Sequence, residues 1–409
     1  MGLGRRWPTT AALRRPAWKG VRSAAAGRTS RGPDRPLSYR EAVHEPHGTD
    51  DLAGAVIGVV GAGTMGAGIA QVALEAGHEV VLYDVDEEAL ERGVERVRTG
   101  LGRRAAKLDL DADSIDEWVE GRLAPLRTAL TLDAVASAAD VAIEAAIEDL
   151  DLKRTIFGAL DREAPSEAIL ATNTSALSVA EIAAATNRPA HVLGLHFFNP
   201  APLMPLVEVV RAPQTDADSV TRATALMERW GKTPVVVADA PGFIVNRVNR
   251  PFTIEALRIL EAGEAGISDI DAAIRAAGYP MGPFELMDLI GIDVNLAVAT
   301  AIYEGLGSPD RLRPSPIQER LVEEGRLGRK TGAGFYAYHD GQRGDAAADL
   351  AVAGGERSTE LVARIESAIA IEAELALGDE IATADSIDLA LRLGAGHPSG
   401  PFESGRAHG

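Results

Sequence analysis

One segment of the chain, between Val56 and Ala70, joins a short apolar run to closely spaced glycines and then to an apolar helical pattern. The glycines have the spacing Gly-x-Gly-x-x-Gly, which is typical of the turn from a strand into a helix in dinucleotide-binding proteins. The first glycine permits the tight turn, the second lets the backbone approach a pyrophosphate, and the third lets the helix pack on the strand. The N–H groups at the helix start then face the phosphate charge. We therefore expect the loop to contact a dinucleotide through Gly61, Ala62, Gly63, Thr64, Met65 and Gly66.

An acidic residue follows the second predicted strand at the place where a ribose would lie. The strand covers 78–83 and is followed by Asp84, 23 residues after Gly61. A carboxylate there can accept hydrogen bonds from both ribose hydroxyls of NAD, and it repels the 2′-phosphate of NADP. The sequence therefore predicts NAD as the cofactor.

Short apolar strands alternate with helical stretches from Ala55 to Asp239, which indicates a mostly parallel sheet with helices on its faces. Strands are predicted at 55–60, 78–83, 126–130, 140–145, 168–172, 191–197, 205–211 and 233–238. After Pro241-Gly242 the pattern becomes helical, and helices are predicted at 243–262, 268–277, 283–303 and 314–324. The predicted fold class is α/β: a doubly wound Rossmann-type sheet followed by an all-α helical domain and a partial repeat of that domain.

The repeat is visible in the residues themselves. The run that starts at Gly278 (Gly-Tyr-Pro-Met-Gly-Pro-Phe-Glu) returns at Gly396 as Gly-His-Pro-Ser-Gly-Pro-Phe-Glu, 118 residues later. The second copy ends soon afterwards and is too short to form its own core. It must therefore bury its apolar face on the preceding helical domain, in the same chain or in a partner. The predicted organisation is a disordered basic extension (1–50), an NAD-binding domain (51–240), a helical domain for substrate binding and dimerisation (241–340), a linker (341–357) and the partial repeat (358–409).

Composition excludes several classes of function. The chain of 409 residues has a net charge of −19, but residues 1–40 carry a net +9, so the remaining chain carries −28. An acidic body of this kind argues against a nucleic-acid partner. There is no cysteine, and the eight histidines form no ligand-spaced cluster, so no metal site is expected. No apolar run approaches the roughly 18 residues that span a bilayer, so no membrane partner is expected.

The basic extension allows three interpretations. It has the Arg-rich, acid-poor composition of an organellar transit peptide. It could instead bind an acidic surface, or it could be an extension without a role. A cytoplasmic location is expected under the last interpretation, and an organellar one under the first.

Four polar positions carry the candidate chemistry: Ser175, His196, Glu208 and Asn246. Ser175 follows the predicted strand 168–172, at the edge where open α/β sheets place their ligands. If the next two strands form an antiparallel hairpin centred on Pro202, His196 and Glu208 face each other as cross-strand neighbours. A carboxylate-paired imidazole is a good general base, although such a pair can also be purely structural. Asn246, alone on a predicted helix, also has a structural interpretation.

Several blocks of the sequence resemble the L-specific 3-hydroxyacyl-CoA dehydrogenase family. They are Gly-Ala-Gly-Thr-Met-Gly-Ala-Gly-Ile-Ala at 61–70, Asn-Thr-Ser at 173–175, His-Phe-Phe-Asn-Pro at 196–200, Pro-Gly-Phe-Ile-Val-Asn-Arg at 241–247, and Gly-Tyr-Pro-Met-Gly-Pro-Phe-Glu-Leu at 278–286. The partial repeat resembles the bacterial branch that includes 3-hydroxybutyryl-CoA and 3-hydroxyadipyl-CoA dehydrogenases. The resemblance covers about Val56 to Tyr338. It implies NAD-dependent oxidation of a (3S)-3-hydroxyacyl-CoA to a 3-oxoacyl-CoA, in fatty acid or aromatic-acid metabolism, by a homodimer that pairs through the helical domain.

The resemblance also implies roles for single residues. It makes His196 and Glu208 a catalytic dyad, with Ser175 and Asn246 holding the 3-oxygen and the thioester of the substrate. It implies that NAD contacts Glu148, Lys153, Asn173, Ser175, Asn199 and Lys330, and that Lys107 meets the phosphates of CoA. One departure is that the family often has a serine on the helix before Lys107 where this chain has Gly100, next to Thr99.

Alternatives stay open at this point. A related β-hydroxyacid dehydrogenase would act on a free acid, but such enzymes usually rely on a lysine. A non-catalytic NAD-binding protein could have the same fold. The basic run near the end of the helix 87–107 has two interpretations, a solvated face or a site for a polyphosphate-bearing substrate. Arg247 and Arg250 could meet a terminal carboxylate of the acyl chain, or they could be solvated.

Overall fold

The computed structural model describes residues 52–108, 110–350 and 358–406. The predicted disordered extension, 1–50, therefore lies outside the described residues, as do 351–357 of the predicted linker. The described part of the chain contains one large sheet with eight strands. These strands are β1 (Val56–Val60), β2 (Glu79–Tyr83), β3 (Leu126–Thr128), β4 (Val141–Glu144), β5 (Ile169–Thr172), β6 (Val192–Phe197), β7 (Leu206–Arg211) and β8 (Thr233–Ala238).

The sheet has the order β3-β2-β1-β4-β5-β6-β7-β8, and every neighbouring pair is parallel except β6 and β7. Its inner strands are buried on both faces. Ile57 and Val59 pack in one apolar cluster, while Val60, which points to the other face, packs in a second. Runs of apolar residues of this kind are typical of parallel strands covered by helices on both sides. The predicted Rossmann-type, mostly parallel sheet is confirmed.

Helices connect the strands of this domain and then form a second, all-helical part. The helices around the sheet are α1 (Thr64–Glu75), α2 (Glu87–Ala105), α3 (Ala112–Leu123), α4 (Leu132–Ala138), α5 (Leu150–Glu163), α6 (Val179–Ala183) and α7 (Ala217–Arg229). Those that follow β8 are α8 (Val245–Val248), α9 (Arg250–Glu261), α10 (Ile267–Ala276), α11 (Pro283–Ile290), α12 (Ile292–Gly305), α13 (Pro316–Glu323), α14 (Ser358–Gly378), α15 (Ala384–Ala395) and α16 (Pro401–Arg406).

Two predicted helices are broken in the structure. The predicted helix 283–303 is in fact α11 and α12, bent by 102°. The break lies at Gly291, whose φ of 104° a residue with a side chain rarely adopts. The predicted helix 243–262 begins as the short α8 and continues as α9 after Asn249. Periodicity alone overlooked both breaks, because the apolar pattern continues across them.

A second, two-stranded sheet lies at the end of the first helical domain. Its strands are β9 (Tyr336–His339) and β10 (Gln342–Ala346), and they are antiparallel. The turn between them is Asp340-Gly341, with φ values of 51° and 74°. Positive φ at both central residues is the mark of a tight hairpin turn. The segment 341–357 was predicted as a linker, but its first part is strand β10. The Asp-Gly pair was the sequence signal for this hairpin.

The partial repeat reproduces the hydrogen bonds of the first helical domain. Asp271 accepts the N–H of Phe284 at 3.0 Å, and the equivalent Asp388 accepts the N–H of Phe402 at 2.8 Å. The glutamates of the two Gly-Pro-Phe-Glu runs accept the glycine N–H of their own run, at 3.1 Å and 2.9 Å. The repeat therefore folds as a second copy of the same helix–turn–helix unit.

The two copies also contact each other reciprocally. Arg364 pairs with Glu255 at 3.1 Å, and Arg247 pairs with Glu372 at 2.8 Å. Arg364 lies 117 positions after Arg247, and Glu372 lies 117 positions after Glu255. Each copy therefore contacts the other through the same surface. Such exchange of equivalent contacts defines a two-fold interface, here formed within one chain.

The second copy thus buries its apolar face on the preceding domain of the same chain, through contacts of α14 with α8, α9 and α10 and of α15 with α8 and β7. The N–H of Ala238 also donates to the carbonyl of Ile381 at 2.9 Å, which ties the repeat to the end of β8.

Across 52–108, 110–350 and 358–406, no single helix is long and apolar enough to cross a bilayer, and only the bent pair α11–α12 meets the length and composition test as a pair. The same residues contain no cluster of three or more potential metal ligands.

The histidine at the centre of the reciprocal interface makes folding pH-dependent. His397 packs edge-on against its counterpart Tyr279, with ring centroids 5.0 Å apart. Burial lowers the pKa of His397 from 6.5 to about 4. The unfolded chain binds a proton here that the folded chain excludes, so stability falls as pH drops from 6.5 towards 4. We expect H397Q to flatten this part of the pH dependence of the free energy of unfolding, measured by urea titration. Identical slopes in the variant and the wild type would contradict the assignment.

Removal of residues 339–409 should expose the reciprocal face of α9. Arg247, only 2% exposed, would lose both of its carboxylate partners, Glu372 and Asp379. The apolar surface that α14 and α15 bury on α8, α9 and α10 would then face water, at a cost of about 25 cal/mol per Å². We expect a lower thermal midpoint, or pairing of two truncated chains, in calorimetry and light scattering. A truncated protein that is monodisperse and equally stable would show that the repeat is dispensable.

Candidate active site

The glycine loop joins β1 to α1 with the geometry that a pyrophosphate needs. Gly61 has a φ of 103°, and its N–H donates to the carbonyl of Tyr83 at 2.8 Å. A Cβ at Gly66 would lie 1.8 Å from the carbonyl oxygen of Gly61, so only glycine allows the helix to approach the strand this closely. No side chain caps α1 at Gly63, so the N–H groups of its first turn remain free for an anion. The residues present fit a dinucleotide.

Asp84 lies at the end of β2, as predicted, and contacts the loop directly. Its Oδ2 accepts the N–H of Ala62 at 2.8 Å, and its Oδ1 accepts the N–H of Asp86 at 3.1 Å. The carboxylate is thus fixed beside the turn, where a ribose attached to the pyrophosphate would lie.

Replacing this carboxylate tests the predicted cofactor preference. D84N keeps an oxygen that can accept the N–H of Ala62 but removes the charge that repels a 2′-phosphate. We expect the ratio of kcat/KM for NAD over NADP to narrow by about tenfold, the order that a single charge pair supplies at a partly solvated site. The wild type should prefer NAD, and equal use of the two cofactors by the wild type would contradict this role.

The predicted hairpin register of β6 and β7 is confirmed. His196 pairs with Glu208 across the two strands, and Nδ1 of the imidazole lies 2.6 Å from Oε2 of the carboxylate. Because an ionised carboxylate only accepts, Nδ1 donates the hydrogen and Nε2 is left free to take a proton. Glu208 is fully buried and His196 is 6% exposed. Water therefore cannot displace the pair, and the imidazole is held in one tautomer.

The second oxygen of Glu208 has a role that the sequence did not indicate. Oε1 accepts the N–H of Ile244 at 3.0 Å and the N–H of Val245 at 2.9 Å. These two groups belong to the start of α8, where the helical domain begins. One carboxylate therefore fixes the imidazole and the entry into the second domain together.

Ser175 is held by Glu148. Oε1 of Glu148 accepts from the N–H of Ser175 at 2.8 Å, its hydroxyl at 3.2 Å and the hydroxyl of Thr174 at 2.7 Å. Burial alone would raise the pKa of Glu148, but the charge of Lys153 and these hydrogen bonds lower it below its usual value. An ionised Glu148 therefore organises the loop that carries Ser175.

A buried ion pair next to Glu148 holds this carboxylate in place. Nζ of Lys153 lies 2.6 Å from Glu144 and 3.4 Å from Glu148, and Glu144 also accepts the hydroxyl of Thr172 at 2.7 Å. Lys153 and Glu144 are almost fully buried. Sequence reasoning did not select Glu144 or Thr172. The signal available was a glutamate at the end of an otherwise apolar strand.

Two asparagines connect the remaining parts of the site. Oδ1 of Asn173 accepts the N–H of Phe197, the residue after His196, at 2.8 Å. Nδ2 of Asn246 donates to the carbonyl of Ser175 at 3.3 Å, which joins the helical domain to the sheet. Glu208, which holds His196, also accepts the N–H of Val245, the residue before Asn246. The structure thus brings Ser175, His196, Glu208 and Asn246 into one group.

Three other predicted residues lie outside this group. Asn199 is exposed in the β6–β7 connection, just before a cis bond to Pro200. Lys330 forms an ion pair with Asp293 at 2.5 Å. Lys107 is exposed in the turn after α2. Nothing in their own contacts assigns them to NAD or CoA, and their roles stay predictions.

A cavity of about 440 Å³ lies between α1, α2 and the β6–β7 connection. Its lining includes Arg92, Arg96, Thr99, Arg103, Pro200 and Pro202. Arg103 belongs to the basic run near the end of the predicted helix 87–107, whereas no role was predicted for Arg92 or Arg96. At Gly100, where the family often has serine, an added Cβ would meet the side chain of Gln71 at 2.0 Å. The hydroxyl closest in sequence to that position is that of Thr99, which lines the same cavity.

The site combines a dinucleotide-binding loop, an aspartate typical of NAD-binding proteins and a buried His–Glu pair on an α/β sheet. This combination is typical of an NAD-dependent oxidoreductase. Two family models match the chain: the NAD-binding domain of 3-hydroxyacyl-CoA dehydrogenase over residues 56–240, and the C-terminal domain of that enzyme over residues 242–338. The chain belongs to the 3-hydroxyacyl-CoA dehydrogenase family.

Individual relatives agree with this assignment. The chain is 46% identical over 281 residues to 3-hydroxyadipyl-CoA dehydrogenase of Escherichia coli K12, a match that covers 68% of this chain and 58% of that protein. It is 43% identical to the mitochondrial hydroxyacyl-coenzyme A dehydrogenase of Rattus norvegicus, over 68% of this chain and 90% of that protein. A crystal structure of 3-hydroxybutyryl-CoA dehydrogenase from E. coli K12 superposes with a TM-score of 0.78 and 35% identity, over 87% of this chain and 92% of that one.

Proposed function

We propose that the chain oxidises a (3S)-3-hydroxyacyl-CoA to the 3-oxoacyl-CoA with NAD, on a short acyl chain such as that of 3-hydroxybutyryl-CoA or 3-hydroxyadipyl-CoA. The observation that carries the proposal is the buried 2.6 Å pair of His196 and Glu208. Glu208 also holds the start of α8, the helix that places Asn246 against Ser175. A lysine-dependent site for a free acid would not need this pair. A non-catalytic NAD-binding protein would not need a buried imidazole with a free nitrogen.

Each residue has a defined task in this reaction. Nε2 of His196 removes the proton of the 3-hydroxyl as hydride leaves C3, and NAD supplies the hydride acceptor. Glu208 holds Nδ1 and stabilises the imidazolium that forms. Ser175 and Asn246 fix the reacting oxygen and the thioester, which keeps the substrate in a reactive geometry.

CoA would be recognised on the outer side of α1 and α2. The cavity there presents three arginines, and guanidinium groups bind phosphate oxygens in bidentate fashion. We therefore assign the CoA phosphates to Arg92, Arg96 and Arg103, together with the predicted Lys107. This arrangement favours the polyphosphate interpretation of the basic helix over a purely solvated face.

The predicted homodimer remains a proposal. The reciprocal face of α9 is covered by the repeat of the same chain, so association of two full chains would use another surface. Ile371 and Leu375, 57% and 40% exposed and four residues apart on α14, offer apolar side chains for such a contact.

Removal of the imidazole base tests the proposed chemistry. We expect H196Q to lower kcat for acetoacetyl-CoA reduction by about 10²–10⁴-fold, because acid–base help is lost. NADH binding, measured by fluorescence, should be almost unchanged, because the glycine loop is untouched. As a control, His191, a half-buried residue just before β6 and outside the site, should tolerate glutamine without loss of rate. Near-wild-type turnover of H196Q would remove His196 from the mechanism.

A further inference from the structure

Two arginines begin the helical domain, and the structure gives them opposite surroundings. Both are buried: Arg247 is 2% exposed and Arg250 is 6% exposed, so the solvated interpretation of these residues is wrong. Arg247 is neutralised by Glu372 at 2.8 Å and Asp379 at 2.6 Å. It therefore has a structural partner in the repeat.

Arg250 has no such partner among the described residues. Its Nε is buried without a hydrogen bond, and among the described residues no charged neighbour contributes to the shift of its pKa. Burial lowers the pKa of Arg250 to about 10, so the side chain is still protonated at neutral pH. A buried cation without a counter-ion costs several kcal/mol, so an anionic group that arrives from outside would be stabilised at this position.

The position of Arg250 relates it to the reacting end of the substrate. It follows Asn246 by four residues and begins α9 directly after the break at Asn249, whose φ of −81° and ψ of −3° keep the backbone turning in the right-handed sense. Residues four apart share one face of a helix, with a rise of about 6 Å. Asn246 contacts the Ser175 loop, and Arg250 lies about one helical turn further along the chain.

We propose that Arg250 is a specificity-determining residue that binds the terminal carboxylate of a dicarboxylic 3-hydroxyacyl-CoA, such as 3-hydroxyadipyl-CoA. This inference rests on the proposed function. In a six-carbon dicarboxylic chain, three C–C bonds separate C3 from the terminal carboxyl carbon, a span of about 4 Å. The forked guanidinium can donate two parallel N–H hydrogen bonds to that carboxylate. A methyl-ended chain of the same length would leave the buried cation unpaired and is therefore disfavoured.

A matched pair of substrates tests the proposal with the full chain and NAD. 3-Hydroxyadipyl-CoA and 3-hydroxyhexanoyl-CoA have the same chain length and differ only in the terminal carboxylate. We expect the wild type to prefer the dicarboxylic substrate at least tenfold in kcat/KM. R250M, which keeps the volume but not the charge, should lower this ratio by tenfold or more, and R250K should lie between. R364M, on the repeat and partly exposed, should leave the ratio unchanged.

The outcomes separate this inference from the proposed function. If neither substrate is oxidised by the wild type, the proposed function fails. If both are oxidised without a preference for the dicarboxylic one, or if R250M leaves the ratio unchanged, the role of Arg250 is overturned. Should R250M fail to fold, R250K and the binding of adipyl-CoA against hexanoyl-CoA to the wild type decide the question. Equal binding of the two to the wild type would overturn the proposal.

Discussion

The active site depends on one buried carboxylate. Oε2 of Glu208 holds the imidazole of His196, and Oε1 accepts two N–H groups at the start of α8. A fully buried charge is tolerated only when it is paired and hydrogen-bonded, and Glu208 has three donors. The general base and the position of the helical domain are therefore fixed by the same group. Because Asn246 lies in α8, its place beside Ser175 depends on Glu208 as well.

A second set of charged side chains holds the loop that carries Ser175. Glu144 and Lys153 form a buried pair, and Lys153 also contacts Glu148, which holds the backbone and hydroxyl of Ser175. The two carboxylates that touch the catalytic groups are thus anchored in different ways. Glu208 is anchored by backbone donors, and Glu148 by a buried ammonium. This arrangement keeps Ser175 and His196 in place before the substrate binds, which is what a near-attack geometry requires.

Much of this could be predicted from the sequence, for identifiable physical reasons. The alternation of strands and helices predicted the sheet, and a hairpin centred on Pro202 predicted the pairing of His196 with Glu208. The features that were missed depend on three-dimensional contacts. The backbone partners of Glu208 belong to a segment 36 residues away, and the charge on Arg247 is balanced by Glu372, 125 residues away. Helix breaks such as that at Gly291 were missed because the apolar periodicity continues across them and does not show that the helix axis changes direction.

The internal repeat was also only partly predictable from the sequence. Its existence was predicted from identical residues, and the structure shows that Asp271 and Asp388 make equivalent hydrogen bonds in the two copies. That the two copies pair reciprocally, through Arg364–Glu255 and Arg247–Glu372, was visible only in the structure. The sequence left open whether the second copy covers its own chain or a partner. The structure favours the same chain because the reciprocal ion pairs are formed there.

Hydrogen exchange at the start of α8 is the most direct measurement of the dual role of Glu208. In E208A the amides of Ile244 and Val245 should exchange faster relative to those of β1, and turnover should collapse. In H196Q turnover should collapse while these two amides keep their wild-type protection, because Glu208 is still present. Wild-type protection of Ile244 and Val245 in E208A would show that the carboxylate serves the imidazole alone, and it would contradict this account of how the two domains are joined.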